Sequence, residues 1–95
     1  IAHPDSVKLF GHRPSFELLP YYDRLSEALV RTNTYAEQNS EAHRRCPDTA
    51  GLGMAADLLR ALKKHGVAVL TASDAHRPED VGEGIPDLMK LTEEI

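Results

Sequence analysis

Ninety-five residues bound the chain to a single domain with a modest core, because a chain this short hides only roughly 60–65% of its unfolded surface. A hydrophobic share of 41% beside 27% charged residues is that of a globular protein, and a net charge of −4 offers no footprint for nucleic acid. No apolar run approaches membrane-spanning length, no signal-peptide pattern opens the chain, and Cys46 is the only cysteine, which excludes an internal disulfide and fits a reducing cytoplasm.

Ile1-Ala2 reads as the end of a first strand, with His3 at its tip and Pro4 turning the chain out. Asp5, two residues beyond His3, reads as a helix or turn cap. Val7, Leu9 and Phe10 form an apolar patch that packs down the loop over 11–15, where His12 and Arg13 read as a solvated rim. The stretch 20–31 reads as a helix. Pro20 suits its first turn, Tyr22, Leu25 and Leu29 line one face, and Asn33 stops it. A short strand over 34–38 follows, with Thr34 and Tyr35 as β-formers. It delivers Glu37 and Asn39, two apart and on one face, to a strand end. A Glu there is costly unless paired or at the rim. The pair therefore reads either as loop anchors or as the polar rim of a pocket.

The stretch 40–51 reads as a long polar connection, of a length that is often functional. Arg44 and Arg45 are candidate substrate contacts, because a guanidinium matches phosphate oxygens bidentately. Simple solvation is their alternative, and Cys46 reads as a small buried hydrophobe. The stretch 53–65 is the clearest helix, with Leu52, Ala55, Leu59 and Leu62 as its stripe. Lys63, Lys64 and His65 complement its negative end, and Gly66 supplies a left-handed stop.

The apolar run that follows, over 67–72, reads as a strand buried on both faces. It leads into Ser73-Asp74-Ala75-His76. Asp74 and His76, two apart, converge on one face at the strand's carboxyl end, where α/β folds build sites. A carboxylate beside an imidazole is a usual first shell for Zn, Mn or Fe. A capping Asp and a surface His are the plainer alternative. A helical turn over 78–81 and a last helix over 86–95, with Leu88, Leu91 and Ile95 on one stripe, complete the chain. The order βαβαβα predicts an α/β fold with mostly parallel strands and right-handed crossovers. Three strands cannot close a barrel, which usually takes ~250 residues. The chain opens and stops inside its own patterns, so it is expected to be an excerpt of a longer protein. Its bare sheet edge and apolar face are expected to favour self-association.

Ile1-Ala2-His3-Pro4-Asp5 with Lys8-Leu9-Phe10-Gly11, then Glu37-Gln38-Asn39-Ser40, then Ser73-Asp74-Ala75-His76 with Val81-Gly82, resembles the carboxyl-terminal part of the PHP (polymerase and histidinol phosphatase) family. The resemblance runs over essentially the whole chain and is closest to the histidinol-phosphatase branch. It implies that residues 1–95 are the carboxyl-terminal portion of one PHP domain, a distorted (β/α)7 barrel with up to three divalent metals at the strands' carboxyl ends. His3, Asp74 and His76 fall on metal-ligand positions, and Glu37-x-Asn39 falls on a signature that lines the site. The Arg44-Arg45 loop falls where this branch can carry a phosphate contact.

The family's opening His-x-His, its middle His and its bridging Glu have no counterpart here, so the chain holds at most half of the metal site. Glu41-Ala42 stands where the family usually has a Gly. The implied activity is metal-dependent hydrolysis of a phosphomonoester in a cytoplasmic, histidine-biosynthetic setting, with a phosphorylated small molecule as partner and no nucleic acid. The alternatives are another PHP hydrolase, a phosphodiesterase or nuclease, and a non-catalytic interaction module.

Overall fold

The computed structural model describes residues 1–5, 13–48 and 50–95. The expected patch of Val7, Leu9 and Phe10, the rim residue His12 and the Lys8-Leu9-Phe10-Gly11 motif lie outside them. Along the chain stand α1 (Leu19–Arg31), β1 (Ala36–Asn39), α2 (Glu41–Arg45), α3 (Ala56–Lys64), β2 (Val69–Ala72), a 3-10 turn (Pro78–Asp80) and α4 (Ile85–Glu94).

Pro20 sits in the first turn of α1, and Asn33, with φ 53°, follows its end. Asn tolerates this left-handed conformation better than most residues. The helix buries Leu29 and Ser26, and the Ser26 hydroxyl is satisfied by donating to the Tyr22 carbonyl at 2.8 Å. Burial first, and then the negative charges of Asp5, Asp57 and Glu17, hold the Tyr22 phenol above its ordinary value.

Helix α3 buries Leu58, Leu59, Ala61 and Leu62. The Asp5 carboxylate accepts the Ala55 N–H at 2.7 Å, so Asp5 is indeed a cap, on a helix fifty positions away. The helix starts at Ala56 rather than at Gly53, because Gly53 has another task. It adopts φ +71°, and a Cβ there would stand 2.4 Å from Gln38 Oε1. Only glycine allows that approach, which lets the Met54 N–H donate to the same Gln38 oxygen at 2.6 Å. The α3 end is tied to α1 by His65 Nε2 and Asp23 Oδ1 at 3.0 Å, and to α4 by Lys63 Nζ donating to the Thr92 carbonyl at 2.6 Å.

The strands β1 and β2 pair in parallel, with Ala36 opposite Val69, Glu37 opposite Leu70, Gln38 opposite Thr71 and Asn39 opposite Ala72. The connection between them runs through α2 and α3, as a parallel pair requires. The expected end of a first strand, Ile1-Ala2, makes one rung beside β1. The Ile1 amino group donates to the Tyr35 carbonyl, and the Ile1 carbonyl accepts the Glu37 N–H at 3.0 Å. His3, at φ 51°, and then Pro4 break the extended run before more rungs form. Among the described residues there is therefore a two-stranded parallel sheet and no barrel.

Leu29, Ala36, Met54, Leu58, Leu59, Leu62 and Val67 form the core, with Tyr22, Leu25, Val69 and Ile95 packed against it. The run over 67–72 is not buried on both faces. Val67 is buried, yet Leu70 remains 55% exposed. The alternation along a strand points Val69 and Leu70 to opposite faces, and the core cluster lies on the Val69 side. The polar stretch 40–51 is likewise not all loop, since 41–45 wind into α2, where Arg45 Nη1 lies 3.1 Å from Glu41 Oε1 one turn earlier. No described helix is long and apolar enough to cross a membrane.

Candidate metal centre

Parallel strands end on a common rim, and the Ile1 rung, β1 and β2 all end near one point. There His3 Nε2 lies 3.5 Å from Asp74 Oδ2, and His3 Nδ1 lies 3.4 Å from Glu37 Oε1. Asn39 Nδ2 donates to Glu37 Oε1 at 2.6 Å and stands 3.3 Å from His3 Nδ1. The Asn39 amide can face only this way, because its Oδ1 accepts the Glu41 N–H at 2.7 Å. The four residues are drawn from three separate parts of the sequence. His3 and Asp74 both have left-handed backbones, φ 51° and 47°. Such conformations cost of order 1–3 kcal/mol each and persist where the surroundings enforce them, often at functional sites.

The enforcement at Asp74 comes from Arg44. Its Nη1 donates to the Ser73 carbonyl at 2.9 Å, its Nη2 donates to the Asp74 carbonyl at 3.2 Å, and its Nε lies 3.5 Å from Asp80 Oδ2. The side chain is only 16% exposed. Arg44, a candidate phosphate contact in the sequence, is committed to fixing the loop that carries Asp74. Arg45, paired with Glu41, is the more exposed of the two at 56%. It lines a hollow of about 490 Å³ together with Glu41, Arg44, His76, Arg77 and Asp80. Cys46 beside it is half-buried.

His76 does not join the His3–Asp74 pair through its ring. Its Nδ1 lies 2.9 Å from the Asp74 carbonyl. A carbonyl only accepts, so Nδ1 is the donor, and in the neutral ring Nε2 keeps its lone pair. Among the described residues no set of three His, Cys, Asp or Glu side chains stands together as a metal site. The structure thus brings His3, Glu37, Asn39 and Asp74 together, and it holds His76 one step away through the Asp74 backbone. The clamp by Arg44 had no signal in the sequence, since what it holds on the Asp74 loop is two backbone carbonyls exposed by the turn there.

The His3–Asp74 spacing has the right size for a shared ion. A separation of 3.5 Å is long for a charge-assisted hydrogen bond. Two donors each about 2.0–2.1 Å from a tetrahedral metal stand roughly 3.3–3.4 Å apart. The pair matches one edge of such a shell, in a nitrogen-plus-carboxylate donor set suited to Zn, Mn or Fe.

Residues 55–88 match the family model described as PHP-associated. The matched stretch runs from the residue before α3 through β2, Asp74 and His76 to Leu88 in α4, and it supports a relation to PHP proteins. His3, Glu37, Asn39, Arg44 and Arg45 lie outside it, and the match does not single out the histidinol-phosphatase branch. No curated protein and no solved structure matches the chain.

Proposed function

We propose that these residues supply part of the site of a metal-dependent PHP phosphoesterase acting on a phosphomonoester, with histidinol phosphate as the first candidate substrate. The observation that carries this reading is the 3.5 Å approach of His3 Nε2 and Asp74 Oδ2 from positions some seventy residues apart. His3 and Asp74 would hold the ion, and His76, with its free Nε2, would serve as a further ligand. A site of the family's kind takes up to three such ions, Zn, Mn or Fe. When bound, the metal supplies Lewis acidity toward the phosphoryl oxygens and acidifies a coordinated water.

The chain's own residues would do the rest. Arg44 fixes the Asp74 loop. Arg45, at the mouth of the neighbouring hollow, contacts the substrate phosphate, where a guanidinium can pair two oxygens at once. Glu37 and Asn39 form the polar floor beside His3. The acidic balance of the chain favours a small phosphorylated substrate over a nucleic acid. A cytoplasmic setting and self-association through the exposed sheet edge belong to the same proposal.

The test is hydrolysis by the intact protein that carries these residues, with histidinol phosphate, a generic aryl phosphomonoester and a dinucleotide as substrates. Monoester hydrolysis is expected. Asp74→Asn should lower kcat by about 100-fold or more, by analogy with removing one electrostatic stabiliser of the transition state. Arg45→Ala should act mainly on KM. Cleavage of the dinucleotide in preference to the monoesters would move the protein to the phosphodiesterase or nuclease side of the family. Metal binding with no hydrolysis of any of the three would leave a binding module.

A further inference from the structure

We infer that Arg44 is a positioning residue for His76 as well as for Asp74, acting on both through the Asp74 carbonyl oxygen. The part of this inference that concerns metal rests on the function proposed above. The part that concerns the His76 ring stands on the hydrogen bonds alone.

The Asp74 carbonyl takes two donors. Arg44 Nη2 reaches it at 3.2 Å from α2, and His76 Nδ1 reaches it at 2.9 Å from two residues along the chain. A carbonyl oxygen has two lone pairs, so it serves both at once. The direction of that oxygen is set by the backbone at Asp74, whose φ of 47° persists only where the surroundings enforce it. Arg44 also holds the preceding carbonyl, that of Ser73, through Nη1 at 2.9 Å. Two consecutive carbonyls are thus aimed at one planar fork, which a guanidinium offers and an ammonium does not.

The fork is itself held. Arg44 and Asp80 are only 16% and 14% exposed, and Arg44 Nε lies 3.5 Å from Asp80 Oδ2, so the sequestered cation has its counter-charge in place. Asp80 in turn accepts Arg77 Nε and Nη2 at 3.3 and 3.4 Å. Further along the loop, the Gly82 N–H donates to Ser73 Oγ at 3.2 Å, and the Ser40 hydroxyl donates to the Glu83 carbonyl at 2.6 Å. With the Asp74 oxygen fixed, the His76 ring donates from Nδ1 and keeps the Nε2 lone pair for an ion. A ligating His commonly gives its other ring N–H to a backbone carbonyl in this way.

The readout is the His76 tautomer, taken from long-range proton–nitrogen NMR on the chain with labelled histidine. It is recorded at roughly pH 8.5, about two units above an ordinary imidazole, where the ring is neutral. A Zn²⁺ titration by calorimetry accompanies it. The chain should show the Nδ1–H form. Arg44→Met keeps the length of the stem and removes the fork, so the preference for Nδ1–H should be lost and Zn²⁺ affinity should fall about 10–100-fold. Arg44→Lys keeps a charge beside Asp80 without the fork and should move both readouts the same way by less. An unchanged tautomer in a folded Arg44→Met chain overturns the inference, and a fall in Zn²⁺ affinity alone confines Arg44 to Asp74. Should the Met variant not fold, an unchanged tautomer in Arg44→Lys overturns it instead. A tautomer that changes as stated, in a chain that binds no Zn²⁺, supports the positioning role and counts against the metal reading.

Discussion

Ala36 and Gln38 are buried on one face of β1, Ala36 within the core cluster and Gln38 against Gly53 and Met54. Glu37 and Asn39 alternate with them on the same four-residue strand and meet His3 on the opposite face. The partner strand divides in the same way, with Val69 packed on the core and Leu70 left 55% exposed. The period of two along a strand therefore separates two jobs that share one backbone. One face supplies cohesion and the other supplies polar side chains at a fixed spacing. Substitutions on the two faces should accordingly fail in different ways.

The largest expected effect is on the covered face. Leu59 is fully buried, and Leu59→Ala should cost about 2–5 kcal/mol in urea unfolding, the range for a truncated core leucine that leaves a cavity. Whatever fraction remains folded should keep its Zn²⁺ affinity. A loss well under 1 kcal/mol would mean that the helices are not seated on this face as described. The polar face is the middle case, where Glu37→Gln and Asn39→Ala should lower Zn²⁺ affinity by less than Asp74→Asn while leaving unfolding nearly alone. The smallest effect is on the open face, where Leu70→Ser should change stability by no more than about 0.5 kcal/mol, as for surface sites. A larger loss, accompanied by a drop in mass in sedimentation, would show that a second copy covers Leu70 in solution.

Much of this division was legible in the sequence. The stripes of Tyr22, Leu25 and Leu29, and of Leu59 and Leu62, placed α1 and α3 and the face that each buries. Gly66, at φ +81°, marks the end of α3 for the expected reason. The two-apart spacing of Glu37 and Asn39 put them on one side, and the common rim of parallel strands put His3 near Asp74. Other features were hidden because they depend on what the rest of the fold covers. An apolar run announces that Leu70 is greasy, but not that the helices lie on its neighbour's side. Helix α2 is five residues of mixed charge, too short to show a periodicity. The role of Arg44 is set by carbonyls of Ser73 and Asp74, and backbone acceptors leave no trace in residue type. The His76 ring is turned by a local bond to the Asp74 carbonyl, which the spacing of Asp74 and His76 could not foretell.

The central claim is that His3 and Asp74 form one edge of a metal shell, and a Zn²⁺ titration of the chain and of its Asp74→Asn variant tests it most directly. Asn accepts the left-handed backbone that Asp74 holds, so the variant should keep the fold, checked by an unchanged circular dichroism spectrum. The account predicts saturable binding to the unaltered chain. It also predicts that Asp74→Asn weakens this binding by more than the roughly 10–100-fold assigned to an outer partner. No binding at all, or equal affinity in the two folded proteins, would contradict it.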